Sequence, residues 1–118
     1  MSELARLSFD ETGPAVVTRL EGEIDASNAD QVGEDALAAV RNDALGLVLD
    51  LSGVRYVDSA GIQMLFDLAE RLERRRQRLA LVVPEGLPIL QMLTVTGMQS
   101  LVPVAPTRAE ADAALRRA

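Results

Sequence analysis

Apolar positions recur along this chain in two rhythms, and the switches between them outline its elements. Leu4 to Phe9 alternates and predicts a strand. Asp10-Glu11-Thr12-Gly13-Pro14 is turn chemistry, and Ala15 to Leu20 predicts a second strand. The short connection makes the pair a hairpin. Ser27 with Asp30 then supplies a Ser-x-x-acid helix start, followed by Ala29, Val32, Ala36 and Val40 on one face. Leu47 to Leu51 is a short apolar run of the kind found in strands buried on both faces.

The clearest helix follows Ser59, with Ile62, Leu65, Phe66, Ala69 and Leu72 as its apolar stripe. Asp67 with Arg71, and Glu70 with Arg74, stand four apart with the acid first, the favourable order for helix ion pairs. Leu79 to Val83 predicts another buried strand, closed by Pro84. Pro88 suits a first helical turn and Gly97 suits a helix stop. Leu101 to Val104 predicts a short edge strand, because Pro103 cannot donate to a ladder. Thr107 and Glu110 form a capping box for a last helix ending near Leu115. A hairpin followed by alternating strands and helices predicts an α/β fold with a mixed sheet. At 118 residues, with no repeat or linker, the chain is expected to form a single domain over 1–118.

Composition narrows the chemistry. The chain has no Cys and no His, and its twelve basic residues are all Arg. Thiol catalysis, thiolate metal sites, imidazole bases and lysine nucleophiles are therefore excluded, and Arg does not release its proton to replace them. No metal or cofactor is expected, and the chain reads as no enzyme. The net charge is −6, with −8 on residues 1–53 and +2 on residues 54–118. Such a balance repels phosphate backbones, so no direct nucleic-acid partner is expected. The Arg71, Arg74, Arg75, Arg76 and Arg78 cluster reads as the solvated end of a helix, with no aromatic residues interleaved to stack on bases. The N-terminus lacks the pattern of a secretion signal, and no apolar run reaches the roughly 20 residues that span a bilayer. No membrane association and a cytoplasmic location are expected.

One segment joins several of these features. A buried strand leads through Tyr56 and Val57 into Asp58-Ser59-Ala60-Gly61, and the best amphipathic helix follows at once. Asp58 and Ser59 are both good N-cap residues, and the small residues after them fit a tight space. The same place offers unpaired N–H groups and the positive end of a helix dipole, so charge added to Ser59 would be tolerated there. A phosphate would add roughly −1.5 to −2 charges beside Asp58. Gly22-Glu23-Ile24-Asp25 reads as a turn and cap before the first helix. Loops that follow strands in such folds gather at one end of the sheet, which places Asp25 and Ser59 on one surface.

Gly22-Glu23-Ile24-Asp25, then Leu49-Asp50-Leu51, then Val57-Asp58-Ser59-Ala60-Gly61-Ile62 resembles the STAS-domain anti-sigma-factor antagonists. Thr96-Gly97-Met98 resembles a later, weaker signature of the same family. The resemblance implies a STAS fold from about Leu4 to Leu115. It also implies a mechanism. The unmodified protein binds an anti-sigma factor with serine kinase activity and so frees the sigma factor. The kinase phosphorylates the Ser after the motif Asp, here Ser59, and a metal-dependent protein phosphatase resets it. Glu23, Asp25, Asp58, Ser59 and Gly61 are the implied partner-binding residues. Many members have Ser or Thr where this chain has Ala60, which leaves Ser59 as the one hydroxyl of the motif.

Other readings fare less well. No Gly-x-Ser-x-Gly occurs, and there is no His or Lys to activate a serine nucleophile. Asp50 ends a strand as the acceptor of a receiver domain would, but such domains use a late Lys that this chain lacks. A STAS domain serving as a structural subunit of a stressosome-like or transporter-associated complex is the alternative.

Overall fold

The computed structural model describes residues 5–117. In chain order its elements are β1 (Ala5–Asp10), β2 (Val16–Ile24), α1 (Ala29–Ala38), β3 (Gly46–Val57), α2 (Ser59–Arg74), β4 (Arg78–Val82), α3 (Pro88–Thr96), a 3-10 turn (Met98–Ser100), β5 (Val104–Ala105) and α4 (Arg108–Arg116). The expected α/β fold is present. β1 and β2 form the antiparallel hairpin, β2 to β5 run parallel, and the strands lie side by side in chain order.

That order decides where the helices go. Parallel neighbours need crossovers, and crossovers are almost always right-handed. Strands that step across a sheet in one direction therefore place their helices on one face. The larger core forms there, between the sheet and α1, α2 and α3, and includes Leu20, Ile24, Leu49, Leu65 and Leu93. On the opposite face α4 closes a smaller core of Val48, Ala80, Val82, Ala111 and Leu115. Cover on both faces explains the unbroken apolar run of β3, whose Leu47, Val48, Leu49 and Leu51 are all fully buried.

Asp50 is the polar exception in that run, with only 4% of its surface exposed. Its carboxylate accepts hydrogen bonds from the Ser52 N–H at 2.9 Å and from Arg108 Nε at 2.8 Å. Arg19 Nη1 lies 3.8 Å away. Burial pushes the Asp50 carboxyl up, but the hydrogen bonds from Ser52 and Arg108 outweigh it and hold the group below its ordinary value. Arg108 opens α4, so this pair pins the helix to the middle of the sheet.

The structure corrects several local expectations. β2 continues to Ile24 and does not turn at Gly22. Register shifts at Arg19/Glu21 and Gly22/Glu23 mark bulges, and Gly22 has φ 104°, a conformation that glycine adopts without strain. β3 likewise runs through Ser52-Gly53 to Val57, because the lengthened β2 pairs with it as far as Ile24↔Val57. The α2 stripe is rotated: Met64 and Leu68 are buried, while Phe66 and Ala69 are only partly covered. Arg71 does not pair within its helix but reaches Glu34 of α1 at 2.7 Å, whereas Glu70 and Arg74 do pair, at 3.3 Å. The last strand is Val104–Ala105, shorter than expected and displaced towards the chain end, because the 3-10 turn occupies the residues before Leu101. Leu4, expected to open β1, lies outside the described residues.

The remaining helix signals behave as their chemistry dictates. Pro88 opens α3, and Gly97 closes it at φ 81°. The Thr107 hydroxyl accepts the Glu110 N–H at the start of α4. Two of the arginines after α2 bond backbone carbonyls: Arg75 donates to Val40 O, and Arg78 to the terminal carbonyls of α4. No helix among the described residues is long and apolar enough to cross a membrane.

Candidate functional site

β2 and β3 are parallel neighbours, so the loops after them leave the same end of the sheet. One begins at Asp25 and the other is Asp58. The two are tied directly, since the Asp58 N–H donates to Ile24 O at 3.2 Å. Glu23, Asp25, Asp58 and Ser59 are thereby brought to one edge of the molecule.

The first loop is held by Asn28, not by Ser27. Asn28 Oδ1 accepts the Asp25 N–H at 2.9 Å, and its Nδ2 donates to Glu23 O at 3.0 Å. Ser27 instead turns back on Asp25, donating its N–H and its hydroxyl to Oδ1 at 2.9 and 2.6 Å. Those two bonds, the hydroxyl's first, hold the Asp25 carboxyl below its ordinary value. Asp25 is therefore a fixed, half-exposed carboxylate at neutral pH. Asn28 was not among the expected residues, although an Asn directly before a helix is itself an N-cap signal.

The second loop is a single residue. Asp58 is extended at φ −103°, ψ −171°, and its Oδ1 accepts the N–H groups of Ala60 at 2.9 Å and Gly61 at 3.1 Å. Asp58, rather than Ser59, is thus the cap of α2. Ser59 is the first helical residue, exposed, and its hydroxyl makes no hydrogen bond among the described residues.

Gly61 is buried directly beneath them. A Cβ there would collide with Val57 Cγ2 and stand 3.1 Å from Ile24 Cγ2. Its small size lets the first turn of α2 sit against the ends of β2 and β3, which presents Ser59 outward. Gly61 thus lies under the surface formed by Asp25, Asp58 and Ser59.

Tyr56 flanks the site and was not singled out from the sequence. It stands opposite Glu23 in the strand register and is 52% exposed. A shallow cleft of about 160 Å³ beside it is lined by Val57, Pro88, Ile89 and Met92. Tyr56 is the single Tyr of the chain, an exposed aromatic three residues before Ser59.

No His, Lys or Cys exists in the chain, and no group of three or more acidic side chains among the described residues is arranged to hold a metal ion. What the arrangement does offer is a hydroxyl that is accessible, structurally uncommitted, and set at a helix N-terminus directly after the Asp58 carboxylate that caps it.

Comparison with known proteins fits this geometry. BtrV of Bordetella bronchiseptica, named "Putative anti-sigma factor antagonist", is 30% identical over 114 residues, covering 96% of this chain and 97% of that protein. The crystal structure of an anti-sigma factor antagonist from Mycobacterium paratuberculosis superposes with a TM-score of 0.82 at 25% identity, over 95% of this chain and 94% of that one. SpoIIAA has the same fold in its unphosphorylated form, with a TM-score of 0.71 at 20% identity over 94% of this chain and 96% of that one. The phosphorylated Bacillus form gives 0.63 at 19% identity over 94% and 100%. The STAS domain family matches residues 6–111, nearly the whole described sheet and its helices, and the chain belongs to that family.

Proposed function

We propose that this chain is an anti-sigma factor antagonist that works as a phosphorylation switch at Ser59. In its unmodified form it binds an anti-sigma factor with serine kinase activity, and so releases the sigma factor. The partner docks on the edge formed by Glu23, Asp25, Asp58 and Ser59, with Tyr56 as apolar anchor. Gly61 acts from beneath by seating the helix. The kinase phosphorylates Ser59, binding ends, and a metal-dependent phosphatase restores the hydroxyl. Both encounters take place in the cytoplasm.

The observation that carries this reading is the division of labour between Asp58 and Ser59. Asp58 holds the helix cap, which leaves Ser59 free to change charge. A phosphate there adds roughly −1.5 to −2 charges next to Asp58. A partner site that accepts a neutral hydroxyl beside the Asp58 carboxylate then meets a concentrated negative charge. Like-charge juxtaposition at an interface costs several kcal/mol, which is enough to end binding. The names of the relatives from Bordetella and Mycobacterium support the antagonist role, and the two SpoIIAA forms make phosphorylation within this fold a natural comparison.

Incubating the protein with ATP and the serine-kinase anti-sigma factors of its own source organism tests the proposal. Mass spectrometry is expected to find one phosphate, on Ser59, and none on Ser59→Ala. Absence of both phosphorylation and binding with every such kinase would instead favour a structural role in a larger complex.

A further inference from the structure

The two edges of the sheet are not alike. β5 is two residues long and follows Pro103, so it offers little ladder to pair with. β1 is six residues long, and β2 is its only neighbour in the sheet. Its register with β2 runs unbroken from Ala5↔Gly22 to Asp10↔Val17. Such an edge strand presents a row of unpaired N–H and C=O groups, which folds usually guard with lysine, proline, a bulge or a covering loop. β1 has no lysine, no proline and no bulge.

Its side chains divide by face. Leu7 and Phe9 stand opposite Leu20 and Thr18, both fully buried, and so lie on the side of the larger core. Leu7 packs against that core, while Phe9 remains 44% exposed. Arg6, Ser8 and Asp10 lie on the other face and are exposed. Asp10 Oδ1 accepts the N–H and the hydroxyl of Thr12 at 3.1 and 2.7 Å, and its Oδ2 has no partner among the described residues. Arg6 has none there either, and Glu21 opposite it pairs with Arg19 at 3.2 Å.

The segment Arg6-Leu7-Ser8-Phe9-Asp10 is complementary to its own reverse. Set antiparallel to a second copy about a two-fold axis at Ser8, it pairs Arg6 with Asp10, Leu7 with Phe9 and Ser8 with Ser8. The symmetry makes each unlike pair twice. Residues directly opposite one another in an antiparallel pair share a face. The four apolar side chains therefore gather on the core side, and the two ion pairs form on the other. A register moved by two residues keeps the faces but sets Arg6 against Ser8 or Thr12, and both ion pairs are lost.

We propose that this chain forms a symmetric dimer by antiparallel pairing of β1 with β1 of a second copy. The sheet runs on from one copy into the other through the two strands. Opposite charges at the strand ends set the register. Leu7 and Phe9 of both copies close the apolar area that Phe9 leaves open in the monomer. Because β2 runs antiparallel to β1, the two-fold axis turns the β2 strands, and with them the Ser59 edges, towards opposite ends of the joined sheet. The dimer thus offers one Ser59 edge at each end, and its formation does not depend on the state of Ser59. Five residues a side make a small interface, so the dimer is weak, with a Kd of about 10 µM to 1 mM.

Sedimentation equilibrium of the full chain across that concentration range tests this. The average mass is expected to rise from that of one chain towards that of two. Arg6→Glu sets like charges together at both ion pairs and is expected to weaken the dimer about tenfold or more. Asp10→Arg is expected to do the same with positive charge. Mixed in equal amounts, the two variants carry opposite charges at both pairs again, and heterodimers are expected within about threefold of the parent affinity. A nitroxide on Ser8→Cys, the one thiol of that variant, gives a readout free of charge changes. Its spectrum is expected to show dipolar broadening that vanishes on dilution with unlabelled parent chain. A monomer throughout the range, a dimer that Arg6→Glu leaves undiminished, mixing that restores nothing, or labels at position 8 that stay apart would each overturn the proposal.

Discussion

Asp58 caps the helix on which Ser59 is the first residue, and its Oδ1 takes both the Ala60 and the Gly61 N–H groups at 2.9 and 3.1 Å. Structural duty and chemical availability are thereby assigned to adjacent side chains. A modification of Ser59 leaves the cap untouched, which is what a reversible switch requires of its fold.

The first prediction separates the two residues by stability. Asp58→Ala is expected to lose about 0.5–2 kcal/mol, the usual cost of removing an N-cap side chain. Ser59→Ala is expected to stay within about 0.5 kcal/mol of the parent, as surface substitutions generally do. Urea melts of the two variants decide it. A larger loss in Ser59→Ala than in Asp58→Ala would move the cap to Ser59 and remove the physical basis of the switch.

Gly61 gives a second test, of how tightly α2 seats on the sheet. Gly61→Ala forces a methyl group into Val57, and overpacking of this kind costs about 1–3 kcal/mol. Trimming the obstacle in the double variant Gly61→Ala/Val57→Ala should recover part of the loss. Fully additive losses in a double-mutant cycle would mean that the two side chains do not meet.

Asp50 sets an acid limit on stability. Its carboxyl is held below its ordinary value in the folded chain, so it binds a proton less readily folded than unfolded. The stability it contributes is therefore present above the unfolded carboxyl pKa of about 3.9 and is lost as pH falls through the lower folded value. Asp50→Asn should be less stable than the parent at neutral pH by about 1.5–3 kcal/mol, the range for hydrogen bonds to a charged group. Denaturation across a pH series should show the gap narrowing below about pH 4. A gap that stayed constant into acid would show that the Arg108 pairing contributes nothing through charge.

Much of this architecture is legible in the sequence wherever a signal is local. Pro88, Gly97 and Thr107 mark helix ends through their own backbone chemistry, and each stands where that chemistry places it. The layout of Asp25 and Ser59 at one end of the sheet also follows from strand order alone. What escapes the sequence is set by partners distant along the chain. Gly22 reads as a turn, but pairing with β3 carries β2 past it through a bulge. Asp67 and Arg71 look like an ideal helical pair, yet Glu34 on the neighbouring helix captures the arginine. Ser27 looks like a cap, while Asn28 holds the N-cap position without a side-chain cap bond, its amide spent on Glu23 and Asp25 of the preceding loop. Tyr56 goes unnoticed because its exposure depends on the full length of β3.

The central claim is that charge on Ser59 breaks partner binding without disturbing the fold. Calorimetric titration of the partner kinase into wild type and Ser59→Asp tests it most directly, with a melting curve of each as control. The account predicts melting within about 0.5 kcal/mol of wild type and binding weaker by about tenfold or more, a difference of at least about 1.4 kcal/mol. A folded Ser59→Asp that binds the kinase as tightly as wild type would contradict it.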